Sequence, residues 1–349
     1  MMGPLFKLAR PVLMSLEPEQ AHGLTLAGLK TGLFPKACAA APSLATTVCG
    51  LDFPNPIGIA AGFDKNGEVP DAMLRLGCGY AEVGSTTPKP QKGNPTPRIF
   101  RLPEADAVIN RLGFNNQGHL AMKRNMKDRQ GRPGIVGVNL GANKDTKDKA
   151  EDYVLGIDAF EGMASYFTIN VSSPNTPGLR SLQGRQALQD LVGRVLEARI
   201  STVPVFLKIA PDLTADDRQD IADVALESGI DALIISNTTI ARQGLVEGAV
   251  AQETGGLSGR PLFAMSTQVL SDMRQLTKGK VPLIGVGGIS SGADAYTKIR
   301  AGASLVQLYT AMIYQGPALI MQIRRDLEKL LARDGFSSVT DAVGADVPV

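Results

Sequence analysis

Eight short apolar runs recur along the chain, and each ends in polar or glycine-rich residues. They cover 55–62, 80–85, 135–141, 166–174, 203–211, 232–239, 282–289 and 305–312, rich in Val, Ile, Leu, Phe or Ala with little polar alternation. That texture predicts parallel strands buried on both faces. Amphipathic stretches at helical spacing lie between them, at 68–77, 117–130, 148–163, 184–200, 215–229, 261–277 and 291–302, with a last one at 316–333. Strands alternating with helices predict a parallel sheet, and eight repeats fit a closed (β/α)8 TIM barrel better than an open sheet. Thr214 ahead of Asp216-Asp217, and Ser291 ahead of Asp294, read as helix N-caps. A barrel gathers its C-terminal strand ends at one mouth, where such enzymes keep their active site. One pocket would then collect Asp64-Lys65, Ser85-Thr86, Asn139, Asn170 with Ser173, Lys208, Asn237-Thr238, Gly287-Gly288 and Tyr309-Thr310.

Residues 3–35 read as two helices outside the barrel. The expected α/β organisation is a helical extension at 1–44, a barrel at 45–335 and a tail at 336–349. Leu5, Ala9, Leu13 and Leu16 keep helical spacing, Pro11 is expected to kink or restart the first helix, and Glu17-Pro18-Glu19 reads as the start of the second. Ala21, Leu24, Leu26, Leu29, Leu33 and Phe34 make that second segment apolar on more than one side. A hairpin of this kind either packs on the barrel as a lid or serves a membrane surface or an apolar ligand. Insertions at 86–113 and 244–259 hang from the catalytic end, where long loops tend to be functional. The tail after Gly335 is small, polar and acidic, and is expected to be poorly ordered.

Composition narrows the function classes. A net charge of +2, from 36 basic and 34 acidic residues, carries no nucleic-acid signature. Cys38, Cys49 and Cys78 lack CxxC spacing and read as structural thiols in a reducing compartment. His22 and His119 are the only histidines and HExxH is absent, so no metal site is expected. Lys7 and Arg10 before Val12-Leu13-Met14 imitate a signal peptide, but Glu17 and Glu19 interrupt the apolar stretch. No run reaches the ~20 apolar residues that span a bilayer, so an integral membrane protein is not expected.

The chemistry concentrates at the strand ends. Asn110, Asn139, Asn170, Asn175 and Asn237 would offer converging amides, which suit a flat ligand edged with alternating C=O and N–H groups, such as a pyrimidine or a flavin. Lys65 and Lys208 end apolar runs, expensive places for an unpaired charge. They would hold a substrate carboxylate or stabilise negative charge on an electron-accepting ring, and a Schiff base at Lys208 is a competing reading. Ser173 would act as a base only with a proton relay or a dry, polarised site. There is no GxSxG elbow, so acyl transfer is not expected. Gly287-Gly288 with Ser290-Ser291-Gly292, after the seventh run, suits a phosphate, and 255–259 would add backbone donors. A non-catalytic membrane-surface protein leaves this polar clustering unexplained.

Several strings in register then resemble one family across essentially the whole chain: AAGFDKNG at 60–67, VGSTTPKPQKGNPTPRIFRLPE at 83–104, INRLGFNN at 109–116, INVSSPNTPGLRSLQG at 169–184, LKIAPDL at 207–213, SNTT at 236–239, ETGGLSGRPL at 253–262, IGVGGI at 284–289 and QLYTAMIYQGP at 307–317. They are similar to the quinone-dependent, membrane-associated class of dihydroorotate dehydrogenases. The resemblance implies FMN held by Ala61, Gly62, Phe63, Asp64, Lys65, Ser85, Asn139, Asn170, Lys208, Ser236, Gly259, Gly288, Tyr309 and Thr310. It implies dihydroorotate or orotate held by Lys65, Asn110, Arg111, Leu112, Gly113, Phe114, Asn170, Asn175, Asn237 and Thr238. Ser173 falls where the family places its catalytic base, and serine there favours the quinone-dependent class. His22 and Arg101 fall where a quinone tunnel is lined. Also implied are oxidation of dihydroorotate in pyrimidine synthesis, a membrane quinone as acceptor, a monomer, and peripheral attachment to the cytoplasmic face of a bacterial inner membrane. Ser85 and Ser236 stand where threonine is commoner, and each keeps the hydroxyl.

Overall fold

The structure is a computed structural model and describes residues 2–245, 248 and 250–349; Val246, Glu247 and Ala249 of the second insertion lie outside the described residues. Eight parallel strands close into a barrel: β3 (Ile57–Ile59), β4 (Tyr80–Thr86), β7 (Ile135–Leu140), β8 (Tyr166–Asn170), β9 (Val205–Ile209), β10 (Ala232–Ile235), β12 (Leu283–Val286) and β13 (Ala303–Leu308). Each falls within or beside one of the eight apolar runs, and all eight are almost wholly buried along their length. Helices α3 (Pro70–Arg75), α4 (Gly118–Asp128), α5 (Lys149–Phe160), α6 (Arg185–Ala198), α7 (Ala215–Ser228), α8 (Phe263–Leu276), α9 (Gly292–Arg300) and α11 (Ala318–Arg333) alternate with them. Thr214 forms a capping box with Asp217 and Ser291 caps α9, because a side-chain oxygen there takes a helix N–H that has no backbone partner.

The barrel interior is packed rather than open. Tyr166 stacks on Phe206 with ring centroids 4.5 Å apart, and Tyr80 meets Phe53 edge-on at 5.2 Å. Gly58 and Gly137 make room for these rings, since a Cβ at either would collide with Tyr80 or Tyr166. A short hairpin, β1 (Thr46–Val48) and β2 (Leu51–Phe53), brings Val48 and Phe53 into this cluster and closes the N-terminal end. Chemistry is left the other end, as the strand endings require.

Three features differ from the sequence expectations or go beyond them. The two insertions form one antiparallel sheet of β5 (Ile99–Leu102), β6 (Ala107–Asn110) and β11 (Gly256–Gly259), with Gly256 opposite Asn110. The eighth run turns helical at its end, as α10 (Thr310–Gln315). The tail is not loosely ordered. Val339 and Ala342 are fully buried, Val339 N–H donates to Ser43 O (2.7 Å), and Arg300 pairs with Asp346.

The extension forms α1 (Met2–Ser15) and α2 (Pro18–Lys30). Pro11 lies inside one continuous helix, and the restart comes at Pro18, where the Glu17 carboxylate accepts the N–H groups of Glu19 and Gln20. Polar ties hold this hairpin on the barrel. Arg98 Nε meets Glu19 Oε1 at 2.9 Å, Lys30 meets Glu68 at 2.7 Å, and Arg101 Nη1 donates to Met14 O and Leu16 O at 3.2 and 2.9 Å. The last of these satisfies carbonyls that the end of α1 leaves open.

Candidate active site

One cavity of about 580 Å³ runs from the C-terminal strand ends to the underside of the hairpin. Its floor carries Lys65, Ser85, Asn170, Ser173, Lys208, Ser236, Asn237 and Tyr309; its roof is Phe6, Ala9, Leu13, Ala21, Leu29 and Phe34. Polar floor and apolar roof therefore share one chamber.

The amides of the floor form a directed chain. Glu82, fully buried in β4, accepts from Asn139 Nδ2 (2.7 Å), Tyr166 OH (3.0 Å) and Gln307 Nε2 (2.7 Å). A carboxylate only accepts, so the Asn139 carbonyl must point upward. There it is hydrogen-bonded to Ser85 Oγ and receives Asn170 Nδ2 at 3.1 Å. Asn170 Oδ1 in turn accepts from Ser172 Oγ (3.0 Å) and from Asn237 Nδ2 (3.3 Å), and Asn237 Oδ1 takes Thr238 N–H at 2.8 Å. Opposite, Asn175 Nδ2 donates to Asn110 O (3.1 Å). Ser173 is buried in this wall, and Asn175 N–H donates to its Oγ at 3.3 Å. Arg180 ties three loops together through Ser172 O (3.1 Å), Asp212 (2.9 Å) and Thr238 O (3.1 Å).

The charges are tuned by burial. Loss of solvent lowers the Lys65 pKa to about 8, with Glu19 opposing and Arg98 adding to the shift. Burial also lowers that of Lys208, and the Glu82 carboxylate partly offsets it. His22 falls to about 4, through burial first and the Lys65 charge second, so it is neutral at pH 7. Its ring lies 5.6 Å from that of Phe63, edge-on, and 6.5 Å from that of Tyr309. At the end of β12, a Cβ on Gly288 would stand 2.5 Å from Phe263 Cβ, and Gly288 has φ +76°. Gly259, with φ +100°, is equally bare, and Thr310 Oγ1 contacts Ser258 Oγ at 2.9 Å.

Most of the residues singled out in the sequence line this cavity. Ala61, Gly62, Phe63, Leu112, Gly113, Phe114, His22 and Arg101 do so along with the floor residues above. Three do not. Asn139 lies one layer beneath, supporting Ser85 and Asn170. Asp64 turns its carboxylate to the N–H groups of Glu68 and Val69. Arg111 faces outward, bound to Glu253 at 2.6 Å and over the Phe100 ring. Sequence reasoning passed over Glu82 and Gln307. A signal existed, since each is a polar group inside an otherwise apolar run, whereas the reading that picked out Lys65 and Lys208 looked only at charges ending such runs.

Fold and site define a barrel enzyme in which an amide-lined mouth opens into an apolar chamber roofed by an N-terminal helical hairpin. The family model for dihydroorotate dehydrogenase matches residues 43–331. The chain belongs to that family and is an oxidoreductase. A protein of Parvibaculum lavamentivorans named dihydroorotate dehydrogenase (quinone) is 65% identical over 98% of this chain and 99% of its own. One of Allorhizobium ampelinum with the same name is 56% identical over 97% and 96%. The crystal structure of the Eimeria tenella enzyme in complex with ferulenol superimposes with a TM-score of 0.91 at 41% identity, covering 96% of this chain and 98% of that one.

Proposed function

We propose that the chain oxidises (S)-dihydroorotate to orotate, with FMN as prosthetic group and a membrane quinone as electron acceptor, in de novo pyrimidine (UMP) synthesis. The observation that carries this reading is the single cavity joining an amide-and-lysine floor to an apolar roof.

The residues present fit FMN. The Gly287-Gly288 turn, whose missing Cβ atoms let it lie directly against Leu262, Phe263 and Ser266, lines the cavity with backbone and suits the phosphate together with Gly259 and Thr310. Ala61, Gly62, Phe63, Lys65, Ser85, Asn170, Ser236 and Tyr309 would border the ring, with Asp64 fixing the loop from behind and Asn139 holding Ser85 and Asn170 in place. Lys208 brings a desolvated positive charge, which favours negative charge on the ring. Bound there, FMN supplies two-electron acceptance from the substrate and delivery to the acceptor.

The substrate carboxylate would meet the Lys65 ammonium. The amides of Asn110, Asn170, Asn175 and Asn237, with Thr238, would border its imide edge, and the Leu112–Phe114 turn would cover it. Arg111 would contribute backbone only, since its guanidinium is committed to Glu253. Ser173 Oγ would take the proton from C5, inside a wall that excludes bulk water.

The quinone would enter beneath α1 and α2, past a neutral His22 and past Arg101, whose guanidinium fixes the end of α1. Residues 1–44 would thus serve the acceptor, and 45–335 the cofactor and substrate. Leu8, Val12, Leu24 and Leu33 are exposed on the hairpin, and among the described residues no helix is long and apolar enough to cross a membrane. The exposed apolar side chains support peripheral attachment to a membrane surface; a monomer on the cytoplasmic face of a bacterial inner membrane is proposed from the family reading. Anaerobic titration tests the reading: the yellow protein should bleach with stoichiometric dihydroorotate and recover its colour with a quinone. A flavin that stays oxidised with dihydroorotate but reacts with another substrate would overturn it.

A further inference from the structure

We propose that Lys298 is a positioning residue for the phosphate site: through Ser266 it holds the Gly287–Gly288 peptide with its N–H facing the cavity. This rests on the reading of the site as one for FMN. Lys298 lies on α9 and is fully buried. Its ammonium donates to Ser266 Oγ (2.8 Å) and Thr267 Oγ1 (3.0 Å) and stands 5.0 Å from the centre of the Phe263 ring. Burial lowers the Lys298 pKa to about 7, with Asp294 opposing, and an anion bound at the turn would favour the protonated form. That ammonium only donates, so Ser266 must accept from it and pass its own proton onward. The carbonyls within reach of that proton are Gly287 O and Phe263 O, both at 3.1 Å; Phe263 O already accepts from Thr267 Oγ1 at 2.7 Å, which leaves Gly287 O to Ser266.

A trans peptide sets its C=O and N–H on opposite sides. Anchoring Gly287 O toward α8 therefore turns the Gly288 N–H away from α8, toward the cavity that both glycines line. The turn is pressed closely on its support, because a Cβ at Gly287 would lie 2.9 Å from Ser266 Oγ. For stability alone, an apolar side chain of similar length would serve better than a buried ammonium. The cost is explained if the charge orients a donor set and adds positive potential behind an anion.

The test compares FMN with riboflavin, which has the same ring and no phosphate, in rebinding to deflavinated full-length protein. Lys298→Met and Ser266→Ala should each weaken FMN roughly tenfold, the scale of one hydrogen bond to a charged group. Riboflavin affinity should stay within about twofold of wild type, because the ring contacts are untouched. Equal losses for both ligands would mean a general packing role and overturn the inference, as would no loss for either. If Lys298→Met does not fold, Ser266→Ala carries the same comparison, with an FMN-selective loss in support and no selective loss against. Wild-type protein that binds riboflavin as tightly as FMN would be a different failure. It would remove the phosphate from the site, and this inference with it.

Discussion

At the barrel mouth, Asn170 commits both ends of its amide to neighbours and is buried, whereas across the same cavity Leu8, Val12, Leu24 and Leu33 of the hairpin stand 57–89% exposed. The floor's donors and acceptors are held by one another, which is the condition for stabilising charge in a transition state without reorganisation. In the hairpin, Ala21 of α2 is buried, and a few polar ties fasten the pair to the barrel. Rigid polar groups suit a substrate whose atoms must be aligned, and a loosely fastened apolar cover suits a lipophilic acceptor entering from a membrane. The two halves of the reaction should therefore respond to different changes.

The largest effect is expected on the floor. Ser173→Ala should retain FMN and orotate yet slow flavin reduction by roughly 10²–10⁴-fold, the usual contribution of a positioned base. Anaerobic stopped-flow measures this directly. A near-normal rate would take Ser173 out of the mechanism and erase the sharpest feature of the polar half.

Next comes removal of the roof. Residues 2–32 can be deleted short of Phe34, which Arg75 covers at 5.4 Å, and of Leu44, which is fully buried. The truncated protein should still be reduced by dihydroorotate, lose most quinone turnover and leave the membrane fraction. Full quinone turnover by a soluble truncation would make the hairpin a structural lid only. If the truncation loses FMN, His22→Ala in the full chain asks the same question, with quinone turnover reduced and flavin reduction kept.

The two regions also differed in how far the sequence revealed them. Strand ends were legible because parallel strands buried on both faces leave unbroken apolar runs, and a barrel needs no further information to bring their ends together. The sheet of β5, β6 and β11 was not. Its strands have four residues each, and Gly256 pairs with Asn110 across four intervening barrel strands, a partner no local pattern announces. Docking of the tail depends likewise on remote partners, Ser43 and Arg300. Within the site, Arg111 enters as a ligand through the family resemblance alone, together with the rest of 110–114. Which way a loop side chain turns is set by Glu253 and Phe100, far away in sequence or across a strand. Glu82 was hidden inside a run read for its apolarity, although it orders the amides above it.

A smaller effect separates charge from shape on the floor. Lys65 has its pKa lowered to about 8, and a carboxylate ligand binds the protonated ammonium. Orotate affinity should therefore hold steady below pH 8 and fall by up to about tenfold per unit above it. In Lys65→Met, affinity should be weaker throughout and this inflection absent. The same inflection in that variant would assign it to another group and leave Lys65 without its counter-charge role.

The smallest expected change lies where the two regions touch. Arg98 reaches both ways, pairing with Glu19 of the hairpin at 2.9 Å while donating to Lys92 O and Asn94 O at 2.6 and 2.8 Å. Asn94 continues to the floor, donating to Arg111 O at 2.9 Å and Asn175 O at 3.4 Å. Glu19→Gln removes the charge on the hairpin side and leaves the contacts of Arg98 with the loop. A partly exposed ion pair is worth about 1 kcal/mol or less, so the quinone KM should rise by no more than about fivefold. Without the Glu19 charge the Lys65 pKa should fall further. The comparison is therefore made at about pH 6.5 or below with saturating dihydroorotate. Flavin reduction should there be unchanged in stopped-flow, because the loop below Arg98 keeps its bonds. Slowed reduction would mean that hairpin and floor are coupled through Arg98 and Asn94, so that the roof tunes the chemistry beneath it. An unchanged quinone KM would put the hairpin's attachment in its apolar contacts and in Arg101, with the Glu19 pair contributing nothing measurable.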